Sequence, residues 1–381
     1  MIKSFLTTIA LAFTWAHAAQ APVQAQAEQG WIGKRVVQKL GDFVLRDNGE
    51  PVERGGKAID FYRVEQADGP SLFLRAERQG LSGWATAGDV VPVEQALDFF
   101  TQQIRAHPRD AFLHAMRAFL WRDKREFDNA LRDDNEAIEL DPKNAANYCN
   151  RGFDRHSKKE YDKAINDFDL AIRLDPKNTL AYVGRGISRA TRKEYDKAIA
   201  DYSEAIWLDP LSITAYYNRG LAWQSKKEYA KAVVDYDLAI RLDPQHAHAY
   251  RQRASAWAAQ KKYDNAITDY NEAIRLDPRY SDAYTGRAWL LATCPDAAVR
   301  DGKRAVESAM KACELTERKA APPLDALAAA CAAVGDFESA VRWQTQANRL
   351  HAGSEARTEG EARLELYRDK KPYRETGVVK S

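Results

Sequence analysis

The sequence predicts a mainly α chain: an α-solenoid of paired helices preceded by a small all-β barrel. Three observations carry this. Pro108, Pro142, Pro176, Pro210, Pro244 and Pro278 recur every 34 residues, and a fixed period of that size marks a solenoid or array. Within each step apolar residues fall three and four apart, as amphipathic helices require. Residues 31–92 instead show short apolar runs broken by Gly- and Asp-rich turns.

The elements follow in order. Residues 1–18 read as a secretory signal, with Lys3, an apolar run over 5–15 and a small-x-small site at Ala16-His17-Ala18. The run is too short to span a bilayer. Cleavage therefore leaves an exported chain, periplasmic or extracellular, with no transmembrane span. Residues 19–30 are Ala- and Gln-rich, a flexible leader. Strands are expected at 35–40, 42–46, 58–65, 71–76 and 83–91, with turns at Asp47-Asn48-Gly49, Gly55-Gly56 and Asp68-Gly69-Pro70. Five short strands over 31–92 fit a small barrel.

Residues 93–108 carry Ala96, Phe100 and Ile104 where a second helix would sit one period early, a capping half-repeat. Residues 109–350 hold about seven helical pairs. In the pair over 145–176, Tyr148, Gly152 and Arg155 share a stripe of the first helix. Lys158-Lys159-Glu160 turns the chain, and Tyr161, Ala164, Ile165, Phe168, Ala171 and Ile172 form the second stripe. Asp175-Pro176 ends it, because Pro cannot continue a helix and restricts the residue before it. Gly152, Gly186 and Gly220 share one position and Ala164, Ala198, Ala232 and Ala266 another. Small residues there let antiparallel helices approach closely while Tyr, Phe and Ile fill the remaining volume. After Cys294-Pro295-Asp296 about five residues are inserted, and the last pairs are altered. Residues 351–381 read as a polar capping helix and a disordered tail, the cap keeping the array soluble.

This 34-residue helix–turn–helix, with Tyr, Gly, Ala, Tyr/Phe, Ala and Pro at fixed offsets, resembles the tetratricopeptide repeat family. The resemblance implies a right-handed solenoid whose first helices line a groove for a protein or peptide partner. Carried onto this sequence, the groove offsets fall on Phe153, His156, Val183, Ile187, Tyr217, Leu221, Gln224, His248, Arg251 and Trp289. Cys149, Leu180, Thr191, Ser255 and Asp282 hold remaining offsets. Family members that clamp chaperone carboxylates need Asn where this chain has Phe153, Ile187, Leu221, Ser255 and Trp289, so that clamp is not expected. The run Gly83-Trp84 to Val91 is similar to the closing strand of SH3-like domains, without the aromatic patch that reads Pro-rich peptides. Bacterial domains of that kind make peptidoglycan an alternative partner.

Two positions depart from the family together. Arg117, Arg151, Arg185, Arg219, Arg253 and Arg287 stand where an apolar residue is usual, and Asp133, Asp167, Asp201, Asp235 and Asp269 where an aromatic is common. The coupled change predicts an internal Arg–Asp ladder, one pair per repeat, since a guanidinium between helices needs a carboxylate. If pairing stays within a repeat, Arg287 faces Ser308 and is left without one.

Composition limits the remaining readings. Lys and Arg number 57 against 55 Asp and Glu, which argues against nucleic-acid binding. No Walker-A, G-x-S-x-G or H-E-x-x-H motif occurs. His246 and His248, two residues apart on a helix, diverge too far to chelate one metal. Acidic pairs such as Asp133-Asp134 read as solvated or ladder residues. The chain is therefore expected to be a non-catalytic scaffold with no cofactor and no metal, the alternatives being a wall-binding protein or an accessory subunit of an exported enzyme. Cys149, Cys294, Cys313 and Cys331 are expected as buried thiols. If one bridge forms, stacking of consecutive first helices favours Cys294 with Cys331.

Overall fold

The computed structural model describes residues 31, 33–39, 46–47, 50–51, 61–68, 71–77, 82–351 and 353–375. The signal, the leader, most of the second expected strand and residues 58–60 of the third lie outside these. The chain divides into two compact units, residues 1–176 and 177–381.

Among the described residues the first unit opens with seven short strands: β1 (Arg35–Gln38), β2 (Arg46–Asp47), β3 (Glu50–Pro51), β4 (Phe61–Asp68), β5 (Ser71–Ala76), β6 (Ser82–Thr86) and β7 (Val90–Pro92). They form one sheet, ordered β3-β2-β6-β5-β4-β1-β7. Every ladder is antiparallel. The single strand expected over 83–91 is in fact two. A 3-10 turn at Ala87–Asp89 separates them, fixed by the Asp89 carboxylate, which accepts from the Thr86 hydroxyl at 2.8 Å. The break lets β6 pair with β5 while β7 crosses to β1.

Helices α1 (Val93–Ala106), α2 (Ala111–Asp123), α3 (Phe127–Leu140), α4 (Ala145–Ser157) and α5 (Tyr161–Leu174) complete this unit. The sheet is buried on both sides where it meets them, so adjacent residues serve two cores. Val36, Tyr62 and Val90 pack with Leu72 and Leu74. Val37, Phe61 and Val91 pack with Ala96 and Phe100 of α1 and Met116 and Phe119 of α2. Arg35 adds a polar tie, bonding Asp123 of α2 at 2.9 Å and Glu77 at 2.9 Å. The sheet and the first helices thus share one core across the 92/93 junction.

The second unit contains α6 (Thr179–Thr191), α7 (Tyr195–Leu208), α8 (Ile213–Ser225), α9 (Tyr229–Leu242), α10 (Ala247–Ala259), α11 (Tyr263–Leu276), α12 (Ser281–Thr293), α13 (Gly302–Leu315), α14 (Ala321–Ala333), α15 (Phe337–Leu350) and α16 (Ser354–Arg368). Each odd-numbered helix to α15 packs on the helix before it. Consecutive first helices also touch: α6 with α8, α8 with α10, α10 with α12 and α12 with α14. They therefore form one face. The inserted residues lengthen the loop between α12 and α13.

Close approach explains the repeated glycines. A Cβ at Gly186 would lie 2.6 Å from the Tyr202 ring, and one at Gly220 2.6 Å from Tyr236. The turn between the helices of a pair needs a left-handed residue, which Lys193, Lys227 and Lys261 supply at φ 63°, 62° and 61°.

The end of the chain departs from expectation. Helix α16 is not polar all round: Tyr367 is fully buried. Arg363 donates to Asp325 at 2.9 Å, and Asp325 also accepts from Gln344 at 2.6 Å. Beyond it, residues 371–375 lie against α12 rather than forming a disordered tail; 376–381 are outside the described residues. All four cysteines are buried free thiols. Cys331 shares its core with Cys313, while Cys294 belongs to a separate cluster around Tyr270, contrary to the expected Cys294–Cys331 proximity.

Candidate functional site

The ladder is built as a double tie. In the first unit Arg151 meets Asp167 at 2.7 Å and 3.0 Å. In the second, Arg185–Asp201, Arg219–Asp235 and Arg253–Asp269 close to 2.6, 2.7 and 2.7 Å. Each of these arginines also stacks over a Tyr three residues earlier, as Arg253 does over Tyr250 at 5.3 Å. Sequence reasoning missed the second tie. Arg117, Arg151, Arg219, Arg253 and Arg287 each reach back to a side chain sixteen residues earlier: Thr101, Asn135, Ser203, Asp237 and Asn271. Those acceptors share the 34-residue step, a signal that was legible. Arg287 has Ser308 Oγ at 3.2 Å in place of a carboxylate. Burial and the nearby Arg304 hold its guanidinium below the usual range.

The first unit also buries a cluster absent from the sequence reading. Arg122 donates to Asp154 at 2.5 Å and to Asp134 at 3.3 Å. Asp133 is buried as a ladder rung with Arg117 at 2.7 Å, while Asp134 is buried in this cluster and is neither solvated nor a ladder residue.

The expected groove residues fall in both units. In the first, Phe153 packs edge-on against Phe168 at 5.1 Å and His156 sits 5.2 Å from Tyr161. In the second, Val183 is only 4% exposed and packs with Ala205 and Ala215. It is a core residue, which corrects its expected groove role. Val183, Tyr217 and Arg251 hold one repeat position; the short Val ends beneath its neighbours while the longer side chains reach out. Ile187 and Leu221 are partly covered against Tyr202 and Tyr236. Gln224 accepts from the Tyr236 hydroxyl at 2.9 Å.

The remaining residues gather. The Tyr217 ring lies 5.1 Å from His246, whose ring lies 6.2 Å from His248. His248 shares a 2.8 Å hydrogen bond with the Tyr280 hydroxyl. His246 caps α10 by accepting from the Ala249 N–H. Within this aromatic group stands Arg251. Its Nη1 donates to Gln252 at 2.7 Å. Its buried Nε finds no hydrogen-bond partner among the described residues. Burial pushes the Tyr280 and Tyr270 phenols up to about 12, with the Arg251 charge opposing in both. Two residues on, Arg253 has two carboxylates. A partly exposed guanidinium with no carboxylate partner among the described residues can receive an anion or a carbonyl oxygen. Trp289, the last expected groove residue, is partly covered by residues 371–375.

Comparison with known proteins identifies the helical pairs. Models of the tetratricopeptide repeat match residues 145–178 and 213–246, and models of the TPR repeat match 188–226 and 254–292. The helical pairs within those residues are similar to tetratricopeptide repeats. Among solved structures, yeast Tom70 is similar at 21% identity and a TM-score of 0.50, over 73% of this chain and 59% of that one. The Cut9–Hcn1 hetero-tetramer of APC/C is similar at 13% identity and a TM-score of 0.55, over 72% of this chain and 52% of that one. These likenesses concern the fold alone. The chain has no match among curated proteins.

Proposed function

We propose that this protein is an exported adaptor that holds a segment of a partner protein against the first helices of its second unit. Tetratricopeptide arrays are in general protein-interaction scaffolds. The observation that carries the reading is Arg251. On helix α10, Arg253 meets two carboxylates, Asp237 of α9 and Asp269 of α11, while the Arg251 Nε is buried without an acceptor among the described residues. A structural guanidinium would be paired with a carboxylate; one that is only partly covered and has no ion pair among the described residues suits a contact that dominates an interface. Export rests on the Lys3 to Ala18 signal.

The test is a photo-crosslinker placed at Tyr217 or Arg251 in cells, with Lys231 as control. A discrete partner is expected from the two face positions and not from Lys231. Binding of that purified partner should fall about tenfold or more on Arg251→Ala, the loss of one charge-assisted hydrogen bond. Equal capture from all three positions would refute the reading. The N-terminal residue of the mature chain tests export, with cleavage expected after Ala18. The wall-binding alternative gains no support from the fold: Val37, Phe61 and Val91 are committed to a core shared with α1 and α2.

A further inference from the structure

One end of the candidate face is already occupied. After α16 the chain turns at Lys370, a left-handed residue at φ 55°, and residues 371–375 return across the C-terminal end of α12. Tyr373 packs partly buried against the core cluster that contains Tyr367, and four contacts tie the segment to α12. The Tyr373 ring lies 5.8 Å from the Trp289 ring. Arg374 Nη1 donates to the Ala292 carbonyl at 2.9 Å. The Glu375 backbone N–H donates to the Thr293 carbonyl at 2.9 Å. Trp289 Nε1 donates to the Glu375 carboxylate at 2.6 Å. The two carbonyls are acceptors that a helix end leaves unsatisfied, and Pro295 prevents the helix from continuing to meet them. The occupant is extended, and it uses what a bound peptide uses: a ring on a ring, backbone on backbone, and one charged group on one donor.

We propose that residues 371–375 are an internal ligand of the partner face, and that the face accepts from a partner an extended segment bearing an aromatic ring and, two residues later, a carboxylate. The inference rests on the partner-face reading above. Two features favour a displaceable ligand over a permanent cap. Lys371 and Glu375 stay exposed and 372–374 are only partly covered, so few contacts must be given up. The permanent cap is a different element: α16 is anchored by the fully buried Tyr367 and by the Arg363–Asp325 bond.

A self-occupied site weakens an outside ligand in proportion to the fraction left open. A strap tethered at an effective concentration of about 1 mM and closed about nine-tenths of the time corresponds to a Kd of about 0.1 mM for the same segment in trans. The experiment uses the full chain and a fluorescent, end-capped peptide of residues 369–375. The peptide should bind the Tyr373→Ala/Glu375→Gln variant with a Kd near that value and wild type about tenfold more weakly. Adding Trp289→Phe, which keeps a ring and removes the donor, should abolish binding to the variant. Equal binding to wild type and variant, or none to either up to about 1 mM, would overturn the proposal and make the strap part of the cap. That failure is separable from failure of the partner face. Crosslinking at Tyr217 and Arg251 would still capture a discrete partner if only the strap were misread, and would capture none if the face were.

Discussion

The two units bury charge in different proportions. In the second, Arg219 and Asp235 are one guanidinium to one carboxylate, with the arginine still in touch with solvent and Ser203 bonded to its other nitrogen. In the first, Arg122 serves two carboxylates, Asp154 at 0% and Asp134 at 1% exposure. One positive charge cannot balance two negative ones out of water. Burial first, and then the neighbouring Asp154, push the Asp134 carboxyl well up, against the pull of Arg122. Burial also raises the ladder carboxyls Asp201, Asp235 and Asp269, but each has its own arginine opposing it, whereas Asp134 shares Arg122 with a second carboxylate. The cause lies one level lower, in packing. Asp134 holds the position taken by Phe168, Tyr202, Tyr236 and Tyr270 in later repeats, so a polar cluster fills the volume of a ring. What decides the outcome is the ratio of opposite charges.

Breaking the balanced rung should have the largest effect. Asp235→Ala leaves the largely buried Arg219 guanidinium without its carboxylate and should cost about 3 kcal/mol in urea unfolding. Arg219→Met with Asp235→Leu should recover most of it; a double variant as unstable as the single would show that the rung is not the cause.

The unbalanced cluster predicts a smaller effect and a sign. An acid whose folded pKa is raised binds its proton more tightly in the folded chain, so stability falls as pH rises above the ordinary Asp value of 3.8. Asp134→Asn removes that proton linkage. It should leave stability at pH 7 within about 1 kcal/mol of wild type and flatten its decline with pH, read by denaturant titration at several pH values. A variant that kept the wild-type slope would place the titrating group elsewhere.

The smallest effect belongs to the rung that lacks a carboxylate. Ser308→Asp gives Arg287 the partner its counterparts have, and should stabilise by about 0.5–1 kcal/mol, seen as a rise in Tm. No rise would mean that Asn271 already satisfies the guanidinium.

The repeats were legible because each helix repeats its spacing of small and large residues, and burial enforces that spacing at every step. The ladder was legible because Arg and Asp depart together. Its backward ties were not, because Thr101, Asn135, Ser203, Asp237 and Asn271 differ in type and share only an oxygen acceptor. The Arg122 cluster joins residues of neighbouring repeats, so no single repeat shows it. Val183 was misread because the repeat position gives direction and not reach. The strap was invisible for a further reason: 371–375 has no periodicity, and its contacts with α12 lie over 80 residues away in sequence.

The backward ties carry a further consequence. In a linear array each repeat has its own folding free energy and a coupling to its neighbour. An arginine that bonds both sixteen residues ahead and sixteen behind enters both quantities at once. Losing it weakens a repeat and also uncouples it from the one before. Hydrogen exchange across α8–α11 should therefore open as one cooperative block in the native chain, and split into separately opening pairs once Arg253 is replaced.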